Sequence, residues 1–251
     1  KDMIMDFHTH SLKPSDDSSS NNNEKENSMN RYEDLDVSNP CPRCPVILLL
    51  DTSGSMSGAP IDELNRSLSQ FIQETTADEA ASRSVELEVI TFDNSAEVAL
   101  PFTAINDVDP EFDPLEANGM TSMGAALRLA TQHLNERRKL YRNAGISSYR
   151  PWVILMTDGG PNDDWAQSAA EMRTLGEQGK IQYLGIAIGN NAALDVLNDI
   201  LPSQPGPIRL QGLRFRQFFR WLTDSLKSVS ASAVSQQDDV QFHDITDWGD
   251  L

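Results

Sequence analysis

The stretch "VILLLDTSGSMSG", Val46 to Gly58, decides how this chain is read. Val46–Leu50 is an unbroken apolar run, the pattern of a parallel strand covered on both faces. It delivers Asp51, then the hydroxyls of Ser53 and Ser55, to a turn whose tight backbone Gly54 and Gly58 permit. Ligands of open α/β sheets bind in the crevice beyond the carboxyl ends of the strands, so chemistry is expected at this turn. Spacing by two sets the three oxygens on one side of an extended turn. Oxygen-only donors suit a hard divalent cation such as Mg²⁺, which takes few protein ligands and keeps several waters.

Outward from this turn the pattern is regular. Pro60 opens a helix whose apolar positions Ile61, Leu64, Leu68, Phe71 and Ile72 form a stripe. "VELEVITF", Val85 to Phe92, alternates; "DNS" joins it to "AEVALPF", Ala96 to Phe102, and the pair reads as a hairpin carrying an antiparallel edge. A loop rich in acids and prolines, Asn106 to Met120, leads to "TSMGAALRLATQHLNERRKL". There Ser122 is expected to cap a helix lined by Ala126, Leu129, Ala130 and Leu134.

"WVILMTDGGPNDDW" then repeats the first unit, an apolar strand entering an Asp-bearing turn at Thr157, Asp158, Gly159 and Gly160. If this strand lies beside the first, Asp158 faces the same site, and Thr121 and Ser122 bring further hydroxyls. "IQYLGIAIG" as a strand, "NAALDVLNDIL" as a helix, "IRLQ" as a short last strand and "LRFRQFFRWLTDSLKSV" as a closing helix complete the pattern. Strands alternating with helices predict an α/β fold: a doubly wound, Rossmann-like, mainly parallel sheet of about six strands with helices on both faces.

"DTSGSMSG", "GMTSMGAAL" and "MTDGGPNDDW" together resemble the three-part metal-ion-dependent adhesion site of the von Willebrand factor A domain: DxSxS, then a threonine, then an aspartate. The similarity runs from about Asn39 to Val229. It is especially like the bacterial TerY/YegL branch associated with tellurium resistance, on "CPVILLLDTSGSMSG", the "TDGxPxDDW" turn and the "FFRWL...SLKSVS" helix. The resemblance implies that Ser53, Ser55 and Thr121 bind a metal directly, while Asp51 and Asp158 act directly or through water. The implied ion is Mg²⁺, or Mn²⁺ or Ca²⁺. It also implies one open coordination position, filled by an Asp or Glu of a partner protein in a stress-response system.

Composition agrees with a binding module. The 251 residues carry a formal net charge of −18, which argues against nucleic acid or an anionic membrane as the main partner. No apolar segment approaches the ~18 residues of a membrane span, and a cytoplasmic location is expected. Both cysteines lie in "CPRC", Cys41 to Cys44, two ligands where a structural zinc site needs four; a reduced pair leading into the first strand is expected.

The enzyme readings lack their parts. G-x-S-x-G with a downstream base is absent, and Gly179–Lys180 is not followed by Ser or Thr as a phosphate loop requires. A haloacid-dehalogenase-like phosphatase needs a second Asp where Ser53 stands. The chain is therefore expected not to be an enzyme, with a metal-dependent hydrolase or phosphatase of Rossmann-like fold as the alternative. The last helix, with Phe215, Phe218, Phe219, Leu222, Leu226 and Val229 on one stripe, is expected to close the sheet rather than lie on a membrane.

The domain is expected to span residues 39–232. Residues 1–38, centred on "DDSSSNNNEKENS", are too polar to offset the entropy of ordering and read as a disordered arm. Met29 makes a plausible start, so residues 1–28 are expected to be an addition to the native chain. "MDFHTH" in this arm resembles the DxHxH opening of metal-dependent hydrolase barrels, but no further His or Asp ligands on later strands support it. Residues 233–251 read as an acidic tail, with Phe242 and Trp248 as possible anchors.

Overall fold

The structure is a computed structural model that describes residues 35–189, 194–203, 206–210 and 214–239. The chain divides into two units, residues 1–36 and 37–251, and the fold described is that of the second. The arm with its "MDFHTH" motif, residues 1–34, and the end of the tail, residues 240–251, lie outside the described residues.

Six strands form one sheet: β1 (Cys44–Asp51), β2 (Val85–Phe92), β3 (Ala96–Ala104), β4 (Trp152–Thr157), β5 (Gln182–Ile188) and β6 (Ile208–Leu210). Their spatial order is β3-β2-β1-β4-β5-β6. All neighbours are parallel except β2 and β3, the predicted hairpin edge. The order reverses between β1 and β4, which makes that crevice the topological switch point where α/β sheets take ligands.

The unbroken apolar run of β1 is explained by cover on both faces. Val46, Leu48 and Leu50 join the core built with α1 (Ala59–Thr76) and the closing helix α6 (Phe215–Ser230). Ile47 and Leu49 join the opposite core with α3 (Met123–Ala144), α4 (Ala166–Glu177) and α5 (Leu194–Ile200). A short α2 (Glu79–Ser84) precedes β2. The stripe of α6 is buried throughout, with Phe219 stacked 5.4 Å from Phe71 and Trp221 6.1 Å from Trp152. Core packing therefore accounts for its apolar face. Among the described residues no helix is long and apolar enough to cross a membrane.

The alternation in β2 has a different outcome from a strand with one wet face. Glu86 and Glu88 are buried beneath α3. Glu86 pairs with Arg43 at 3.3 Å and with Arg137 at 2.5 Å, and accepts from the Tyr141 hydroxyl; Glu88 lies 2.7 Å from His133 Nδ1. Cys41 and Cys44 are free; Cys44, inside β1, is buried, and that burial pushes its thiol up to about 12. After α6 the chain continues as a short 3₁₀ helix, Val234–Asp239, inside the segment read from sequence as tail.

Candidate metal centre

The turn after β1 is built around Asp51. Its Oδ1 accepts from Ser53 N at 2.8 Å, folding the chain back over the carboxylate, and its Oδ2 accepts from Thr157 Oγ1 at 2.5 Å. Thr157 ends β4, the neighbouring strand, and itself accepts from Gly159 N at 3.1 Å, which sets the next turn. From that turn Asp158 meets Ser55, whose hydroxyl donates to Asp158 Oδ1 at 2.7 Å. Ser53 Oγ lies 3.0 Å from Ser55 Oγ. With the Ser55 proton committed to Asp158, Ser53 is the donor of that pair. Asp51, Ser53, Ser55 and Asp158 thus gather at one point across the switch.

Thr121 arrives through backbone contacts. Gly54 N donates to Gly119 O at 3.1 Å and Asn118 N to Thr52 O at 2.7 Å, tying the 118–122 segment to the first turn. On its other side Thr121 N donates to Asn162 Oδ1, and Asn162 N donates to Thr121 O, both at 2.9 Å. Thr121 is buried there; among the described residues its side chain makes no hydrogen bond to the other four.

Two helix-start details differ from the sequence reading. Ser122 occupies the N-cap position of α3 but makes no side-chain capping bond. Asp163 caps instead, accepting from Gly124 N at 2.9 Å and Ala125 N at 2.8 Å. The loop after β4 reaches this close because Gly124 has no side chain: a Cβ there would lie 2.5 Å from Asp164 O. Asp163 is therefore committed to the helix and to Arg128, 3.8 Å away. The 106–120 loop is also clasped: Asn65 both accepts from Leu115 N and donates to Leu115 O, each at 2.9 Å. Asn162 and Asn65 were not singled out by sequence, and Asp163, expected as a rim acid facing a partner, is instead taken up by the helix cap and Arg128. Thr157 offered a signal, a hydroxyl on the last strand residue before Asp158.

The electrostatics suit a cation. Burial pushes the Asp51 carboxyl above its usual range, and the Asp158 charge adds to this; hydrogen bonds from Ser53 and Thr157 act in the opposite sense. The donors are oxygen alone, two of them carboxylates whose mutual repulsion a divalent ion would relieve. The residues fit a hard divalent cation. Among the described residues no group of three or more His, Cys, Asp or Glu side chains gathers to hold a metal, as is expected of a set that relies on hydroxyls. Exposure rises from buried Asp51, Ser53 and Thr121 to half-buried Asp158 and exposed Ser55, so the set opens to solvent on one side.

The profile of the von Willebrand factor type A domain matches residues 46–213. The chain belongs to that family. VWA domains commonly bind a divalent metal and typically mediate protein–protein interaction. Among solved structures, the VWA fold of this chain is similar to a von Willebrand factor type A protein from Catenulispora acidiphila, at 17% identity and TM-score 0.55 over 74% of this chain and 43% of that one. It is similar to the D319A mutant of the PilB minor pilin from Streptococcus sanguinis, at 12% identity and TM-score 0.53 over 74% and 62%. Proximal thread matrix protein 1 of the mussel byssus matches at 20% identity and TM-score 0.51 over 74% and 48%. The chain spans 43% to 62% of the length of these three neighbours, and at these identities the likeness is one of fold. No curated protein matches the sequence.

Proposed function

We propose that this VWA domain is a non-catalytic, metal-dependent protein-binding module that captures an Asp or Glu of a partner protein. Ser53, Ser55 and Thr121 would hold the ion directly, and Asp51 and Asp158 directly or through water. The observation that carries this reading is the hydrogen-bonded set linking Asp51 to Thr157 and Ser53 through Ser55 to Asp158, across the switch between β1 and β4. A bound Mg²⁺ would supply a positive centre to which one further carboxylate can attach.

The residues tune that attachment. Two carboxylates just balance a divalent charge, and the neutral hydroxyls add coordination without cancelling the ion's attraction for an incoming anion. Asp51, held from both sides, keeps its place whether or not a partner is present. The exposed Ser55 and half-buried Asp158 leave the approach on the solvent side. The TerY/YegL-like motifs extend the proposal to a bacterial stress-response role of the tellurium-resistance kind, in the cytoplasm.

The test is a pull-down from bacterial lysate in Mg²⁺ and in EDTA, with wild type and Asp51→Ala. A partner retained by wild type in Mg²⁺ and lost both in EDTA and with Asp51→Ala supports the proposal. Partner binding that survives both changes overturns it, and so does metal-dependent hydrolysis of a phosphate or ester substrate by the purified protein.

A further inference from the structure

Met120 stands 55% exposed on a backbone that gives it no route to the core. Gly119 before it holds a φ of 70°, where a Cβ would run into the Asn94 side chain 2.4 Å away. Asn94 Oδ1 in turn accepts from Met120 N at 3.1 Å. Gly119 O is held by Gly54 N in the turn after β1, and Thr121 is held by Asn162 in the loop after β4. Met120 is thus fixed between the two turns that carry the other candidate metal ligands, with its side chain projecting into solvent.

The exposed face of Met120 is apolar surface that folding leaves in water and that a partner can cover. Its thioether chain adapts to varied apolar shapes, as at other binding surfaces. The surroundings define the rest of that partner. Near the site, Asp164 is exposed in the loop after β4, and Glu116 is exposed between Leu115, held by Asn65, and Ala117, beside Ser57; Asp107 instead ends a 3₁₀ turn held by Thr76 at the far end of α1. Arg128, the neighbouring cation, is engaged with Asp164 O at 2.8 Å and with Asp163.

We propose that Met120 forms an apolar subsite beside the metal position, selecting partners whose carboxylate adjoins an apolar side chain and is flanked by Lys or Arg. This rests on the carboxylate-capture reading above and adds what a single ion–carboxylate bond cannot supply, discrimination among acidic residues. The basic flanks complement Glu116 and Asp164, whose charge would repel the many acidic surfaces that also carry carboxylates.

The test uses immobilised peptides of the pattern Lys-Xaa-Glu-Yaa-Lys, in which either or both flanking positions are Leu or Gly, with Glu replaced by Gln in controls. Wild type in Mg²⁺ should bind the best Leu-containing peptide about fivefold or more tightly than the Gly-only peptide, as burial of a methionine face predicts. Met120→Ala should erase that preference and leave Mg²⁺-dependent binding of the Gly-only peptide intact, while Met120→Leu keeps it. Equal binding of Leu and Gly peptides by wild type, or a preference that survives Met120→Ala, overturns the subsite and spares the capture reading. If no peptide binds in a Mg²⁺- and Glu-dependent way, the capture reading falls and the subsite with it.

Discussion

Asp51 is buried with both carboxylate oxygens engaged, one by Ser53 N and one by Thr157 Oγ1. Because burial raises its pKa above 3.8, the folded metal-free protein holds this proton more tightly than the unfolded chain does. Such a group contributes stability that is complete below its unfolded pKa and is lost as pH rises through its folded pKa. In EDTA, wild type should therefore lose stability relative to Asp51→Asn as the pH rises above 3.8, read by urea unfolding across a pH series. A difference between the two proteins that stays constant with pH contradicts this. Thr157 orients the same carboxylate from the next strand. Thr157→Val keeps the shape, deletes the hydrogen bond and should cost about 10–100-fold in Mg²⁺ affinity by titration calorimetry; unchanged affinity would mean Asp51 needs no partner. Asp51, Ser53, Ser55 and Asp158 were legible in the sequence because each sits in a strand-end turn whose geometry local spacing implies. Thr157 offered only its place at the strand end, since its role depends on which strand lies alongside, information that no local pattern contains.

Helix α3 illustrates the same divide at the next scale. Its apolar stripe was readable in part: Ala126, Ala130 and Leu134 are buried, but Leu129 is half-buried and Leu127, not read as part of the stripe, is buried in its place. Its cap was not, because Ser122 looks like an N-cap while Asp163, contributed by the loop after β4, accepts the Gly124 and Ala125 N–H groups. A long-range carboxylate outcompetes the local hydroxyl here, as a charged acceptor makes the stronger hydrogen bond. Asp163→Ala should destabilise the fold by about 1–2 kcal/mol and Ser122→Ala by about 0.5 kcal/mol or less, both measured by urea unfolding. The reverse order would return the cap to Ser122. In β2 the alternation was visible, but the burial of Glu86 and Glu88 depends on Arg43, Arg137, Tyr141 and His133 being brought over the strand by other elements.

At the scale of the whole molecule, the strand order turns separate motifs into one site. β1 and β4 are neighbours at the point where the order reverses, so Asp51 meets Thr157 across 106 positions of sequence and Ser55 meets Asp158 across 103. The alternation of strands and helices made the doubly wound sheet readable, and with it the expectation that two Asp-bearing turns share one crevice. What sequence could not supply was the lock between them: Gly54 on Gly119, Thr121 on Asn162, and the Asn65 clasp on Leu115. These contacts pre-position the hydroxyls, so the account requires that metal bind without refolding the turns. The most direct measurement is anomalous diffraction from crystals soaked in Mn²⁺. The account predicts one strong anomalous peak among Ser53, Ser55, Thr121 and Asp158, with Asp51 close behind and the turns unmoved. A peak elsewhere on the chain, or none at this crevice at saturating Mn²⁺, would contradict it.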